Sequence, residues 1–321
     1  MKKLLIASTA LVATASVAAA EVNFGGYGRF GILYVENDDP GLDETRLESR
    51  FRLNVNTITE SDGGVRFGAR IRFQADDQSN GQGGVADNSA AEFNVEAGGL
   101  RLDVGNTSDV IDSGDVLDYF GPSAGLTDFG EISSNFGLPA SGFGTSGSND
   151  GSLGSVDPTI KARFSTGGLT VAASYQANAL SDGGADDVEE WQVGAGYQVT
   201  DGIKVGAAFG NVDDGAGDDA DFWALGADGS FGAIDWAVLI ADIDTDEFDT
   251  GFGGAISYNI SSATSIRFVV SDNGSNIEGE DETAYAVGFQ HSLGGGVSLR
   301  GGVGVDNTDS TIADLGVRFN F

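Results

Sequence analysis

The chain lacks cysteine altogether and has one histidine, one methionine and four prolines among its 321 residues. Without cysteine, disulfide frameworks, thiolate zinc sites and cysteine nucleophiles are excluded. One histidine leaves little for a histidine-based metal or catalytic site. Basic residues are also scarce, since 16 Lys and Arg against 49 Asp and Glu give a formal net charge of −33. This balance argues against nucleic acid as a partner, because binding phosphates requires a basic surface.

Long apolar runs are confined to the N-terminus. Residues 4–17 are largely apolar, follow Lys2 and Lys3, and end just before three alanines that have the A-x-A pattern of a cleavage site. We therefore predict a signal peptide over residues 1–20 and a mature chain over residues 21–321. Residues 236–241 are typical of the apolar runs that remain, and a membrane helix needs roughly 20 such residues. Any membrane role of the mature chain must therefore use strands.

Apolar and polar side chains alternate with a period of two through the mature chain, with almost no helical periodicity. In the last segment Leu315, Val317 and Phe319 fall on one face, whereas Arg318 and Asn320 fall on the other. Sixteen such runs can be marked. They lie near 22–34, 46–58, 64–76, 90–97, 100–106, 158–166, 168–177, 188–199, 202–211, 220–231, 233–242, 251–260, 263–272, 282–292, 296–305 and 313–321.

Short turns and long acidic connections alternate between these runs, which is typical of outer-membrane barrels. We predict an all-β fold: a 16-stranded antiparallel transmembrane β-barrel. Aromatic residues near the strand ends fit the girdles that such barrels have at the two membrane interfaces. These residues are Tyr34, Trp191, Tyr197, Trp223, Phe231, Trp236, Tyr258 and Tyr285. A soluble β-sandwich that uses the same rings as its core is the alternative.

The polar faces of the first three strands hold half of the basic residues beyond the signal peptide, and in a wide barrel this face lines the lumen. We predict a pore-lining basic cluster of Arg29, Arg46, Arg50, Arg52, Arg66, Arg70 and Arg72. If the turn between the second and third strands centres near residue 61, Arg52 lies beside Arg70 and Arg50 beside Arg72. Arg29 then lies close to Arg50 or Arg52.

One connection, over residues 105–157, is far longer than the others. A segment of this length without secondary structure is uncommon in a compact protein unless it has a function. We expect it to be a long third loop that folds into the pore and constricts it. Its acidic residues would face the arginines across the constriction: Asp109, Asp112, Asp115, Asp118, Asp128 and Glu131. The alternative is a row of arginines solvated in a wide channel, with the loop outside.

The signal peptide ending in Ala18-Ala19-Ala20, the Arg-rich second and third strands, the long third loop and the C-terminal run 313–321 resemble the general-diffusion porins of Gram-negative bacteria. The likeness is greatest to the porins of purple photosynthetic bacteria and other alphaproteobacteria. The resemblance implies a location in the outer membrane, among its lipid and lipopolysaccharide, and a homotrimer. It also implies that the assembly machinery of that membrane reads the terminal Phe321.

The working hypothesis is a water-filled channel, not an enzyme, through which ions and small hydrophilic solutes diffuse passively. A substrate-selective channel and a non-conducting structural or adhesive barrel are the alternatives. An outer-membrane hydrolase is the enzyme hypothesis, but the single histidine, His291, lies on the apolar face and argues against a Ser-His-Asp site. We expect no cofactor, with Ca²⁺ bound by the acidic loops as the open alternative.

Overall fold

The computed structural model describes residues 20–37, 43–77, 82–132, 158–177, 189–213, 219–279 and 283–321. The predicted signal peptide, apart from Ala20, lies outside the described residues, and so do residues 133–157 of the predicted third loop. Those parts of the two predictions stay predictions. Among the described residues, no helix is long and apolar enough to cross a membrane.

The described part of the chain forms seventeen β-strands. They span Glu21–Val35 (β1), Thr45–Glu60 (β2), Arg66–Asp76 (β3), Asp87–Asn88 (β4), Glu92–Ala97 (β5), Leu100–Gly105 (β6), Thr159–Thr166 (β7), Leu169–Ala177 (β8), Glu189–Thr200 (β9), Ile203–Asp213 (β10), Asp219–Phe231 (β11), Ile234–Ile243 (β12), Gly251–Asn259 (β13), Thr264–Asp272 (β14), Ala284–Gly294 (β15), Val297–Val305 (β16) and Thr311–Asn320 (β17).

These strands form one closed antiparallel barrel. Apart from the two-residue β4, each strand pairs with its neighbours in chain order, and β1 pairs with β17. Gly26 and Phe321 exchange backbone hydrogen bonds of 3.0 and 3.1 Å at the closure. Because β4 and β5 both pair with β3, they share one position, and the described wall has sixteen positions. The predicted 16-stranded barrel is confirmed, and its closure leaves no free sheet edge.

The two ends of the barrel differ in their connections. At one end the strands are joined by short turns with glycines at positive φ, among them Gly64 (80°), Gly168 (84°) and Gly232 (62°). Glycine is needed there because a Cβ would be strained in that conformation. The long connections all lie at the other end. The start of β1 and the end of β17 meet at the short-turn end. In outer-membrane barrels the short turns face the periplasm.

The two faces of the wall have different chemistry. Phe24, Phe30 and Leu47 on the outer face are 67%, 57% and 71% exposed, as contact with lipid requires. Every Lys and Arg beyond residue 20 occupies the opposite parity and points into the lumen. A basic side chain on the lipid face would cost about 2–4 kcal/mol at the bilayer midplane. The β-sandwich alternative is wrong, because it would bury the apolar side chains of this outer face in a core.

Residues 106–132 fold into the barrel, and we call them the inward loop. The backbone N–H of Ile111 donates to Gln192 Oε1 on β9 (3.0 Å), and Ser271 Oγ on β14 donates to the carbonyl of Ile132 (2.7 Å). Both wall residues have the parity that faces the lumen. Several apolar side chains of the loop are fully buried against the wall: Val110, Ile111, Val116, Leu117, Leu126 and Ile132. The main hydrophobic core therefore lies between the inward loop and the inner wall.

Candidate functional site

The inward loop rests on a part of the wall where many lumen positions hold glycine or alanine. On the lumen face of β9 and β10, a Cβ added at Gly196 or Gly206 would lie 2.3 or 2.0 Å from the backbone oxygen of Val116. No such contact is tolerated, so only glycine lets the two backbones approach this closely. On the loop side, a Cβ added at Gly121 would lie 3.2 and 3.3 Å from the Cβ atoms of Ala255 and Ala237 on the wall. We call the inner wall of β9 to β13 the glycine–alanine shelf.

The first end of the inward loop is held by β7. The Asp115 carboxylate forms ion pairs with Lys161 Nζ (3.2 Å) and with the Arg163 guanidinium. Only 12% of the Asp115 side chain and 6% of that of Lys161 are exposed. Burial alone would raise the pKa of Asp115, but the two cations outweigh it and hold this pKa below its usual range. Asp115 is therefore ionised at neutral pH and holds the loop to the wall.

The second end of the inward loop is held by β16, β17 and β1. Asp128, at φ 62°, accepts hydrogen bonds from Arg300 Nη1 (3.4 Å) and Arg318 Nη1 (3.1 Å). The buried Asp314 carboxylate accepts hydrogen bonds of 2.8 Å from three donors, the backbone N–H groups of Leu126 and Thr127 and the hydroxyl of Thr127. A carboxylate that receives several N–H donors satisfies loop groups that would otherwise be buried without partners.

The seven predicted arginines all lie on the lumen face of β1, β2 and β3. Five of them form ion pairs with wall carboxylates: Arg29 with Glu48 (2.7 Å), Arg46 with Asp77 (3.5 Å), Arg50 with Asp76, Arg66 with Glu96 (3.9 Å) and Arg70 with Glu92. The other two contact neutral groups. Arg52 donates to Gln74 and lies 5.3 Å from the Tyr27 ring centroid, and Arg72 Nε donates to Asn54 Oδ1 (3.1 Å).

The predicted register between the second and third strands is wrong. Arg52 pairs with Gln74 and not with Arg70, and Arg72 pairs with Asn54 and not with Arg50. The strands continue to Glu60 and resume at Arg66, and the turn between them is closed by the Ser61 N–H and the Val65 carbonyl (2.8 Å). The turn therefore centres two residues later than predicted. This register avoids like charges directly opposite each other on these two strands, which would be destabilising.

Between β1 and β2 the expected proximity is confirmed, because Arg29 pairs with Arg50. Each of the two guanidiniums has its own carboxylate, Glu48 and Asp76, so their repulsion is offset locally. Arg29 also donates to the carbonyl of Thr127 in the inward loop (3.2 Å). This contact joins the arginines of the wall directly to the loop.

The six predicted acidic residues do not act alike. Asp115 and Asp128 form ion pairs, but with basic residues that were not predicted. Asp118 Oδ1 instead accepts the backbone N–H groups of Phe120 (3.3 Å) and Gly121 (2.9 Å), and the buried Asp109 accepts that of Asp112 (2.8 Å). These two carboxylates shape the loop itself. Glu131 lines a small cavity between the loop and β14 to β17.

Asp112 lies within the electrostatic reach of Arg72 and Lys161. Its burial raises the pKa of this carboxyl, and the attraction of the two cations and a hydrogen bond from Ser108 only partly offset it. Asp112 is therefore a predicted loop carboxylate that is attracted by one of the predicted arginines, Arg72.

Sequence reasoning missed several charged wall residues that contact the inward loop: Lys161, Arg163, Arg267, Arg300, Arg318 and Asp314. Each has the polar parity of its alternating run, so parity assigns them to the lumen. Their contacts with the loop could not be found in this way, because they depend on how far around the barrel each strand lies.

Open space remains between the inward loop and the wall of β3 to β7. Arg70, Arg101 and Arg163 line it on the wall side, and Ser113 and Asp115 line it on the loop side, around a volume of about 250 Å³. We call the inner wall of β1, β2, β3, β5, β6 and β7 the charged arc. Within the described residues, no group of three or more His, Cys, Asp or Glu is placed to hold a metal ion. Calcium binding stays a prediction.

The comparisons with known proteins agree on one family. A family model described as Gram-negative porin matches residues 7–311. A porin of Fuscovulum blasticum is 32% identical over 314 residues, covering 94% of this chain and 100% of the relative. A porin of Rhodobacter capsulatus is 26% identical over 328 residues, with the same coverage. Two solved mutants of the Rh. blastica porin superpose with TM-scores of 0.76 and 0.75 at 29% and 28% identity, again covering 94% of this chain and 100% of each structure.

Proposed function

The chain belongs to the Gram-negative porin family and is an outer-membrane porin, and from this premise we propose how its channel works. Ions and small hydrophilic solutes diffuse passively through a water-filled lumen. The passage is narrowest between the charged arc and the inward loop. Guanidiniums on one side and loop carboxylates on the other create a transverse field across it. No step of this function is enzymatic.

One observation carries this proposal: open space of about 250 Å³ separates the inward loop from the lumen side chains of β3, β5 and β6. Its backbone lies against the glycine–alanine shelf, and its ends are held by Asp115 and Asp128. The guanidiniums of the charged arc keep contact with water, since 30% of the Arg70 side chain and 50% of that of Arg66 are exposed. Solutes passing the loop must therefore pass these side chains.

The net ion preference follows from two opposing charge distributions. The acidic long connections raise the local concentration of cations at the mouth, whereas the arginines favour anions at the narrow part. With a formal net charge of −33, we expect a weak preference for cations. It should decline as salt rises, because exposed charges are screened within about 10 Å at 0.1 M.

Recording in planar lipid bilayers tests the proposed function. We expect large conductance steps with a roughly linear dependence on voltage. Steps that a particular solute blocks would favour the substrate-selective channel, although a sugar channel needs an aromatic track along the lumen and most rings here lie on the outer face. The absence of steps from correctly folded protein would contradict the proposal and favour a structural or adhesive barrel.

We further propose a homotrimer, which is typical of the family, cleavage of the signal peptide after Ala20, and recognition of Phe321 by the assembly machinery. The Phe321 ring is half exposed and stacks on Phe51 at 5.6 Å between centroids. Chemical cross-linking in outer membranes tests the trimer, and mass spectrometry of the N-terminus tests the cleavage. Loss of membrane-inserted protein on deletion of Phe321 tests the third proposal.

A further inference from the structure

Three arginines beneath the second end of the inward loop share a single loop carboxylate. Arg267 on β14, Arg300 on β16 and Arg318 on β17 form what we call the Arg267 cluster. Asp128 forms ion pairs with Arg300 (3.4 Å) and Arg318 (3.1 Å). Arg267 forms none with the described residues, and it donates to two neutral acceptors, the Ser123 carbonyl (2.8 Å) and Gln290 Oε1 (2.7 Å).

The three guanidiniums are close enough to repel one another. Arg300 interacts electrostatically with Arg318, Arg267 and Arg29, and Arg267 with Arg318. Asp128 attracts all three, and Asp235 adds a weaker attraction on Arg267. Arg29 is already paired with Glu48, so the three guanidiniums of the cluster face two carboxylates, Asp128 and Asp235. Positive charge therefore exceeds negative charge in the Arg267 cluster.

The Arg267 cluster also contains hydrogen-bond donors that lack an acceptor among the described residues. The Nε atoms of Arg267 and Arg318 are buried and have no hydrogen-bond partner among the described residues. A buried donor without an acceptor is unfavourable and uncommon in native proteins. An acceptor that brings negative charge would satisfy the donors and reduce the repulsion at the same time.

The Arg267 cluster faces the lumen in the part of the wall nearer the short-turn end. All three arginines lie near the ends of their strands where the short turns are, and the side chains of Arg300 and Arg318 are 14% and 20% exposed. The Arg318 guanidinium is also fixed on the face of Tyr27, with Cζ 4.1 Å from the ring centroid. A solute reaching the inward loop from the periplasmic side meets these side chains.

We propose that the Arg267 cluster is a binding site for a small oxyanion, meaning the phosphate or carboxylate group of a solute that enters from the short-turn end. The planar guanidinium fork matches such groups in two-point contacts. The site lies on β14, β16 and β17 and borders the arginines of β1 and β2, because Arg318 pairs with Arg29 and shares the Tyr27 ring with Arg52. The inference rests on the proposed channel function, which brings solutes to the site.

Calorimetric titration with inorganic phosphate, at constant ionic strength, tests the site without requiring conductance. We expect weak binding to the wild-type protein and about tenfold weaker binding to Arg267→Gln, as expected for one charge-assisted hydrogen bond. Arg267→Lys, which keeps the charge but loses the fork, should lie between them. Arg163→Gln is the matched control, because it removes a lumen arginine that pairs with Asp115 at the other end of the loop.

Equal phosphate binding by the wild-type protein and Arg267→Gln would overturn the inference, and so would an equal loss in Arg163→Gln. Current recordings test from which end of the barrel phosphate reaches the site. Because the chain has no cysteine, Asp62→Cys in the exposed turn between β2 and β3 can be modified from one chamber to identify the short-turn end. Phosphate should reduce the current at lower concentration from that side, and equal block from both sides would contradict the proposed location. A protein that binds phosphate but gives no conductance steps would refute the channel and keep the site.

Discussion

The charged arc and the glycine–alanine shelf are two regions of the same barrel wall with opposite roles. Along the charged arc the lumen positions hold arginines and carboxylates that pair with each other, such as Arg70 and Glu92, and 30% of the Arg70 side chain stays exposed. Along the shelf many of the equivalent positions hold glycine or alanine, and at Gly196 and Gly206 the backbone of the inward loop occupies the space of a side chain. The size of the side chain therefore decides where the loop lies, and the remaining part of the circumference becomes the passage.

The largest effect is expected from a single methyl group on the shelf. In Gly206→Ala the new Cβ would meet the backbone oxygen of Val116 at 2.0 Å, and a backbone obstacle cannot rotate away. We expect the free energy of unfolding to fall by about 3 kcal/mol, the upper part of the range for overpacking. Guanidinium titration followed by tryptophan fluorescence measures it. Gly63→Ala, whose nearest atom is 3.9 Å away, is the control, and equal stability of the two variants would refute the role of the shelf.

A somewhat smaller effect is expected where the wall binds the loop through hydrogen bonds. Asp314→Ala leaves the N–H groups of Leu126 and Thr127 without their acceptor, which should cost about 2 kcal/mol. The second end of the loop should then become accessible to added protease. Asp62→Ala, in an exposed turn, removes a carboxylate without this role. If both variants resist protease equally, Asp314 does not hold the loop.

Replacement of two neighbouring loop carboxylates is expected to affect the free energy of unfolding differently. Asp115→Asn removes the partner of Lys161 and Arg163 and should destabilise the barrel by about 1 kcal/mol. Asp112 is buried with less compensation, which raises its pKa, so Asp112→Asn should leave stability unchanged or slightly higher. The two asparagine variants are matched controls for each other in the same unfolding experiment. A loss of stability in Asp112→Asn as large as that in Asp115→Asn would contradict the assignment.

The smallest effect is the response of the first loop end to acid. Because the folded-state pKa of Asp115 is lowered, its ion pairs contribute their full stability above the unfolded pKa of about 3.9. This contribution is lost as the pH falls through the lower folded value. The stability difference between the wild-type protein and Asp115→Asn should therefore be constant from pH 7 to about pH 5 and shrink only in stronger acid. A difference that already disappears near pH 6 would show that another group holds this end.

The barrel could be predicted from the sequence because alternation reports directly which face each residue occupies. The first and last strands, Glu21–Val35 and Thr311–Asn320, follow the predicted runs closely. The register of β2 with β3 could not be predicted, because Ser61, Asp62, Gly63 and Gly64 all suit a turn. Moving the turn by two residues leaves every side chain on the same face of the sheet. Arg52 and Arg70 nevertheless no longer lie opposite each other.

The contacts of the inward loop could not be predicted from the sequence for a different reason. Asp115 and Asp128 were predicted to face the arginines of the first three strands, but they pair with Lys161 and Arg163 on β7 and with Arg300 and Arg318 on β16 and β17. These pairs depend on the path of the loop across the shelf. That path is determined by glycines of the shelf. Their close contacts with the loop backbone can be recognised only when the loop and the wall are seen together.

The central claim is that the charged arc governs which ions pass the inward loop, and the reversal potential in a salt gradient tests it most directly. The quadruple variant Arg50→Gln, Arg52→Gln, Arg70→Gln and Arg72→Gln removes four positive charges from the arc and leaves the shelf intact. We predict that its ratio of cation to anion permeability rises at least about twofold over that of the wild-type protein. An unchanged reversal potential, in a variant with the wild-type unfolding curve, would contradict the account.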